Sequence, residues 1–354
     1  MIQAKSKSLV VRPGGRLHAA LRTALAPVLG ALIGLLIGAL LIYIAGVNVF
    51  SAYASMLRGA FGGSRQITET MLKASPLLLM GLGLMVTFRA QVWNIGGEGQ
   101  YHAGALCGGV VALSFSGWPR LFLLPATLLA GVAGGTLWAL LAGFLKVKRG
   151  MSVIISTLML NYIAILLVQY VARGPLQEPG GYLPESAQFV SAARMPRLFG
   201  SRIHLGVALA LALVPLVYGV LWLTPLGFRL RAIGSRASVA RYAGINVERA
   251  ILLVLGFSGA LAGLAGIIEV SVLHTRLKGD ISGGYGFSGI LVALLGRMHP
   301  LGVVVASVFF AALIIGAESM HVVSGLPSAL ADAIQAVIIL SVLATDALAR
   351  RRQG

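Results

Sequence analysis

The chain has 354 residues, of which 58% are hydrophobic and 11% charged, with a mean hydropathy of +0.91 and a formal net charge of +18. A water-soluble domain has no interior large enough for that apolar content, so lipid must be the solvent for most of the chain. No aromatic and basic cluster accompanies the positive charge, so it reads as loop cations facing an anionic membrane leaflet and not as a nucleic-acid surface; the single cysteine, Cys107, rules out an internal disulfide.

In chain order, Lys5, Lys7, Arg12, Arg16 and Arg22 precede the apolar stretch 24–47. That stretch is longer than the roughly 7–15 residues of a signal-peptide core, so 1–23 is expected to be a basic cytoplasmic tail and 24–47 an uncleaved first span. Further apolar runs predict spans near 76–94, 98–116, 121–145, 153–172, 204–223, 250–270, 286–297, 300–319 and 328–346. The run 286–297 is short and glycine-rich and predicts a half-span or broken helix. The interval 173–203 carries Pro175, Pro179, Pro184 and Pro196, the pattern of an irregular external loop. These elements predict an all-α polytopic membrane protein of about ten transmembrane helices, with one transmembrane domain over 24–346 and a cytoplasmic tail over 347–354. With both termini inside, 18 of the 28 lysines and arginines fall on the cytoplasmic side, the bias that orients a multi-pass chain.

Two stretches carry the strongest functional signals. The loop 224–249 holds five arginines between apolar runs and is expected on the cytoplasmic side, with a short amphipathic helix whose apolar residues include Val239, Tyr242 and Ala243. Such a helix gives a soluble partner something to push on. The stretch Gln91-Val92-Trp93-Asn94-Ile95-Gly96-Gly97-Glu98-Gly99-Gln100 places amides and a carboxylate at a glycine-rich break between apolar helices. It reads either as an inward-facing gate or as a surface loop with Glu98 in water. A similar break, Gly283-Gly284-Tyr285-Gly286-Phe287, precedes the half-span and hints at an internal duplication.

Within the spans, Asn161 is a candidate solute contact or an interhelical hydrogen-bonding residue. Among Glu269, Glu318 and Asp332, Asp332 is expected to lie deepest and the two glutamates near wet external ends. The histidines are scattered without metal-ligand spacing, no phosphate-binding loop is present, and no nucleophile motif points to catalysis. The shortage of buried acids leaves an ion-coupled secondary transporter as a weaker alternative, with Asp332 as its one candidate carrier.

These two stretches, with Thr157-Leu158-Met159-Leu160-Asn161-Tyr162 and the run Gly286 to Gly296, resemble the integral-membrane permeases of bacterial ATP-binding-cassette importers. The branch is the one that takes ribose, simple sugars, nucleosides and branched-chain amino acids, and WNIGGEGQ and TLMLNYIA look most like its nucleoside subgroup. The similarity spans about 75–344. It implies a permease subunit of the bacterial cytoplasmic membrane, forming the path for a nucleoside or related small polar solute, with a ribose-type sugar as the alternative. It also implies a second permease, identical or related, two cytoplasmic ATPase subunits and an extracytoplasmic substrate-binding protein or lipoprotein. ATP and Mg would bind the ATPase, leaving this chain without cofactor, metal or catalytic residues. By the same resemblance Gly227, Arg229, Arg231, Gly234, Arg241, Ala243, Gly244 and Asn246 belong to the ATPase-coupling region. Ser235-Arg236-Ala237-Ser238 stands where an acidic-Asn-Pro stretch is common in the family. Asn94, Glu98, Gln100, Asn161, Phe287 and Asp332 are the candidates for the translocation path or its gate.

Overall fold

A computed structural model describes residues 13–351 apart from 199 and 201, so most of the expected N-terminal tail and the last three residues lie outside the described part. Among the described residues the regular structure is helical, with isolated β-bridges but no strand. In order the helices are α1 (Pro13–Ile44), α2 (Val49–Phe61), α3 (Ser64–Arg89), α4 (Gly97–Ser114), α5 (Arg120–Arg149), α6 (Val153–Arg173), α7 (Leu205–Leu223), α8 (Pro225–Ser235), α9 (Ala237–Tyr242), α10 (Val247–Glu269), α11 (Tyr285–Leu295), α12 (Pro300–Ser324) and α13 (Ser328–Arg351). Eight are long and apolar enough to cross a bilayer: α1, α3, α5, α6, α7, α10, α12 and α13. The protein is an all-α polytopic membrane protein.

Each predicted span meets a helix, with instructive differences. The span placed at 76–94 is α3, which starts twelve residues earlier because Arg65, Glu69 and Lys73 are turns of the same helix that a hydropathy reading cuts away. Helix α11 rises only about 16 Å over its eleven residues, too short for a hydrocarbon layer of about 30 Å. Helix α2, a thirteen-residue amphipathic segment, was not expected.

The chain divides into two compact units, 61–312 and the combination of 1–60 with 313–354. In the second, α1 and α13 approach so closely at Gly30 and Gly34 that an added Cβ would meet the backbone of Val342 and Ile338. In the 61–312 unit, α3 is the most enclosed span, and α4, α5 and α10 touch backbone to backbone. Gly104 of α4 and Gly135 of α5 both lie against Gly263 of α10, and a methyl group at any of the three would overlap main-chain atoms. In lipid, where apolar side chains gain nothing by avoiding solvent, such close approach supplies dispersion contacts that hold helices together.

The 173–203 loop is irregular, as its prolines predict. It contains a short 3-10 turn, Ser191–Ala193, and is tied down by an ion pair of Arg276 with Glu178 at 2.5 Å. It ends at His204, whose Nδ1 accepts from the Gly206 N–H at 3.1 Å and so caps α7. Burial pushes the His204 imidazole down to about 4, keeping it neutral as that acceptor role requires.

Candidate functional site

The break between α3 and α4 is built by an unusual helix end. Gln91 takes a left-handed conformation (φ 56°) where glycine is the common choice, Gln91 N bonds Phe88 O at 2.9 Å, and Val92 N bonds Thr87 O at 2.9 Å. This pairing closes α3 and turns the chain inward, at a strain of about 1 kcal/mol for a residue with a Cβ. The chain then delivers Asn94 into the interior.

There Asn94 and Gln100 pair through both amides, each donating to the other's carbonyl at 3.2 Å. Asn94 also donates to Ser258 Oγ of α10 at 3.1 Å and accepts from Gly96 N at 2.9 Å. From α6, Asn161 closes two bonds on the break: its Oδ1 accepts from Gly99 N and its Nδ2 donates to Ile95 O, both at 2.8 Å. Thr157, one turn earlier on α6, accepts from Ile95 N at 3.2 Å. These bonds satisfy backbone groups that a helix start and an irregular segment would otherwise leave unpaired in an apolar interior.

Glu98 is buried and not solvated, and it lies in the first turn of α4 and not in a loop. Its Oε2 accepts from Gly286 N at 2.7 Å, in the first turn of α11, so the carboxyl oxygen faces the N–H groups at the start of that helix. His102 donates from Nδ1 to the Glu98 carbonyl at 2.8 Å. The two glycine-rich breaks noted in the sequence are therefore in direct contact. The second is shaped by left-handed Gly283 and Gly284 (φ 56° and 86°), after which Ser282 Oγ accepts from Tyr285 N at 3.0 Å.

A neighbouring polar group was missed from the sequence. Tyr285 donates to Glu269 Oε1 at 3.3 Å, its ring lies 5.6 Å from the Lys73 ammonium, and it packs against Tyr101, whose hydroxyl donates to Ile281 O at 3.1 Å. The expectation about buried acids is reversed. Glu269 is buried, whereas Asp332 and Glu318 are exposed in the other unit. Asp332 is the fifth residue of α13, just past its first turn, and its sequence position measured depth along an apolar run without showing which face it occupies. Phe287 is 43% exposed and takes no part in the knot, although it follows Gly286. Among the described residues no group of His, Cys, Asp or Glu is placed to hold a metal ion.

The arginine-rich loop forms two helices, α8 and α9. Thr224 caps α8 by accepting from Gly227 N at 3.2 Å, with Pro225 at the first helical position. Arg231 donates to Leu221 O and so closes the end of α7. Gly234 rests on the carbonyl of Arg89, where a Cβ would not fit, and Arg89 stacks over the Trp222 ring at 4.4 Å and donates to Met298 O at 2.7 Å. Thus α8 is seated on the end of α3, directly before the Gln91 turn. Arg229, Arg241, Ala243, Gly244 and Asn246 are exposed, Gly244 is left-handed (φ 81°), and Asn246 caps α10 by accepting from Arg249 N at 2.9 Å. The expected apolar face of the helix points outward. Val239 and Tyr242 are 57% and 97% exposed, and Ala240 alone is buried on α9.

The family model described as branched-chain amino acid transport system / permease component matches residues 66–343. The chain belongs to this permease family. It is 36% identical to the glucose ABC transporter permease protein of Haloferax volcanii, over 87% of this chain and 84% of the relative. It is also 36% identical to the guanosine ABC transporter permease protein of Bacillus subtilis, over 88% of this chain and 90% of the relative. A nucleoside ABC transporter permease protein of Lactococcus lactis is 29% identical over 85% of each chain. No solved structure matches at a comparable level of significance. The permease is thus a multi-pass transport subunit of an ATP-binding-cassette importer and not an enzyme; subunits of this kind work with separate ATPase subunits and a substrate-binding protein.

Proposed function

We propose that this permease forms the membrane path for a nucleoside or a closely related small polar solute. The reading rests on the likeness to the guanosine permease along 88% of the chain. In it, 224–249 and both termini face the cytoplasm, ATP and Mg bind the ATPase subunits, and this chain holds no cofactor. A second permease completes the path, and an extracytoplasmic binding protein or lipoprotein delivers the solute.

Coupling follows from the seat of α8. Arg236 and Arg241 are exposed beside Phe228, Val239 and Tyr242, a mixed basic and apolar surface suited to an ATPase groove with acidic walls. Motion of α8 transmits through Gly234 to the end of α3 and then to Asn94. In the conformation described, Asn94, Gln100 and Asn161 are hydrogen-bonded to protein partners, so the knot acts as a closed gate and not as an open binding surface. Opening exchanges those internal bonds for bonds to solute, a trade for which amides and hydroxyls suit a neutral polar molecule.

A ribose-type or other simple sugar is the second reading, favoured by the likeness to the glucose permease. Uptake of labelled guanosine and glucose decides between them, in cells lacking their own systems and expressing the permease with its partner subunits. ATP-dependent guanosine uptake supports the proposal. Glucose uptake alone assigns the sugar, and uptake driven only by an ion gradient overturns the importer mechanism.

A further inference from the structure

We propose that the 61–312 unit holds an anionic phospholipid where α7 ends and α10 begins. An apolar groove of about 630 Å³ runs between α5, α7 and α10, lined by residues such as Leu140, Val217, Val220 and Phe257. It shares Leu226, Leu230 and Leu253 with a second cavity of about 410 Å³ whose lining adds Arg229 and Arg249. No carboxylate lines either cavity, and Glu248, next to Arg249 in the chain, is exposed and contributes to neither. Among the described residues neither arginine is in an ion pair.

The shape selects the occupant. A free anion would use the arginines and leave the groove empty. A neutral solute has no use for two guanidinium groups. A water-soluble protein segment does not reach a groove formed by the membrane-embedded turns of α5, α7 and α10. A lipid fills both parts at once, with acyl chain in the groove and phosphate between Arg229 and Arg249, which offer forked donors matched to its oxygens. Because Leu226 and Leu230 belong to α8, the bound lipid holds α8 against α7 and α10 and links the transport cycle to membrane composition. This role is separate from the identity of the transported solute.

The test uses the full-length permease, purified in detergent and reconstituted with phosphatidylglycerol or phosphatidylcholine. Lipid retained through purification is identified by mass spectrometry, and thermal stability is titrated with each lipid and with inorganic phosphate. Phosphatidylglycerol is expected to be retained preferentially. Arg249→Gln should weaken its retention about fivefold, the effect of one arginine near a membrane surface, and Arg249→Lys should restore most of it. Leu253→Trp, which crowds the groove and leaves both arginines, should weaken retention as well. Equal retention of phosphatidylcholine, or equal stabilisation by inorganic phosphate, overturns the proposal. So does an Arg249→Gln variant that keeps its phosphatidylglycerol but loses the ATPase, since that assigns the arginines to the protein partner.

Discussion

Replacing Glu98 by alanine removes the acceptor of the Gly286 N–H and leaves that donor buried at the start of α11. A hydrogen bond to a charged group contributes about 1.5–3 kcal/mol, and a buried donor left without a partner costs about 1–3 kcal/mol. The lost side-chain volume adds to this, since Glu98 is enclosed by α4 and α11. The expected destabilisation is therefore about 3 kcal/mol. Glu98→Gln retains an acceptor oxygen in the same place and is expected to cost about 1 kcal/mol or less. The assay is thermal unfolding of the detergent-purified permease, alongside membrane abundance and uptake. An alanine variant as stable as the parent would refute the reasoning, because the bond to Gly286 would then contribute nothing. A glutamine variant as unstable as the alanine variant would show that charge and not the acceptor geometry holds α11.

Gly104→Val drives a branched side chain into the Gly263 backbone and should destabilise the permease by about 3 kcal/mol, whereas Gly117→Ala, where nothing lies within 4 Å, should stay within about 0.5 kcal/mol; recovery of folded protein after extraction measures both. Arg241→Glu should lower uptake on the order of tenfold at unchanged membrane abundance, while Arg231→Glu should lower abundance itself because Arg231 closes α7 at Leu221. Unchanged uptake in the Arg241 variant would remove that residue from coupling. The pH dependence has a defined sign. His204 is held neutral in the fold and its value falls from 6.5 to about 4, so the unfolded chain takes up the proton first. Its stabilising contribution is complete above pH 6.5 and declines as pH falls from 6.5 towards 4; His204→Asn, which keeps a capping acceptor without titrating, should show a flatter stability profile over that window.

The long spans were legible because a bilayer demands about twenty apolar residues and tolerates few charges, a constraint read directly from α5, α6, α7 and α13. The break at 91–100 was legible because glycine and amides have few other uses between apolar helices. What the chain order hid was depth. Glu98 read equally as a gate residue or as a solvated one because it stands among loop-forming glycines, yet α11, nearly two hundred residues later, closes over it. Glu269 looked peripheral because it ends an apolar run, but the run continues through a π-helical turn, Val270–His274, and keeps the carboxylate inside. Ser258 carried no motif, and Thr157 stood in a recognised stretch without a role, since a hydroxyl on an apolar helix announces nothing until its partner on another element is known. For α9 the spacing of Val239 and Tyr242 fixed a shared face, but apolar residues at helical spacing do not say whether the chain itself or another protein covers it.

The bond between Glu98 and Gly286 joins residues 188 positions apart. At a synthesis rate of about 5–20 residues per second, Glu98 leaves the ribosome roughly ten to forty seconds before its partner exists. For most of that interval α4 has neither α10 nor α11 to enclose its first turn, and an acid without a counterpart resists entry into hydrocarbon. Biogenesis therefore has a built-in order: α4 waits at the membrane boundary or within the insertion machinery until the last third of the chain arrives, and its final seating is a late, post-insertion event. A truncated or stalled chain ending before α11 leaves that acid without its Gly286 partner.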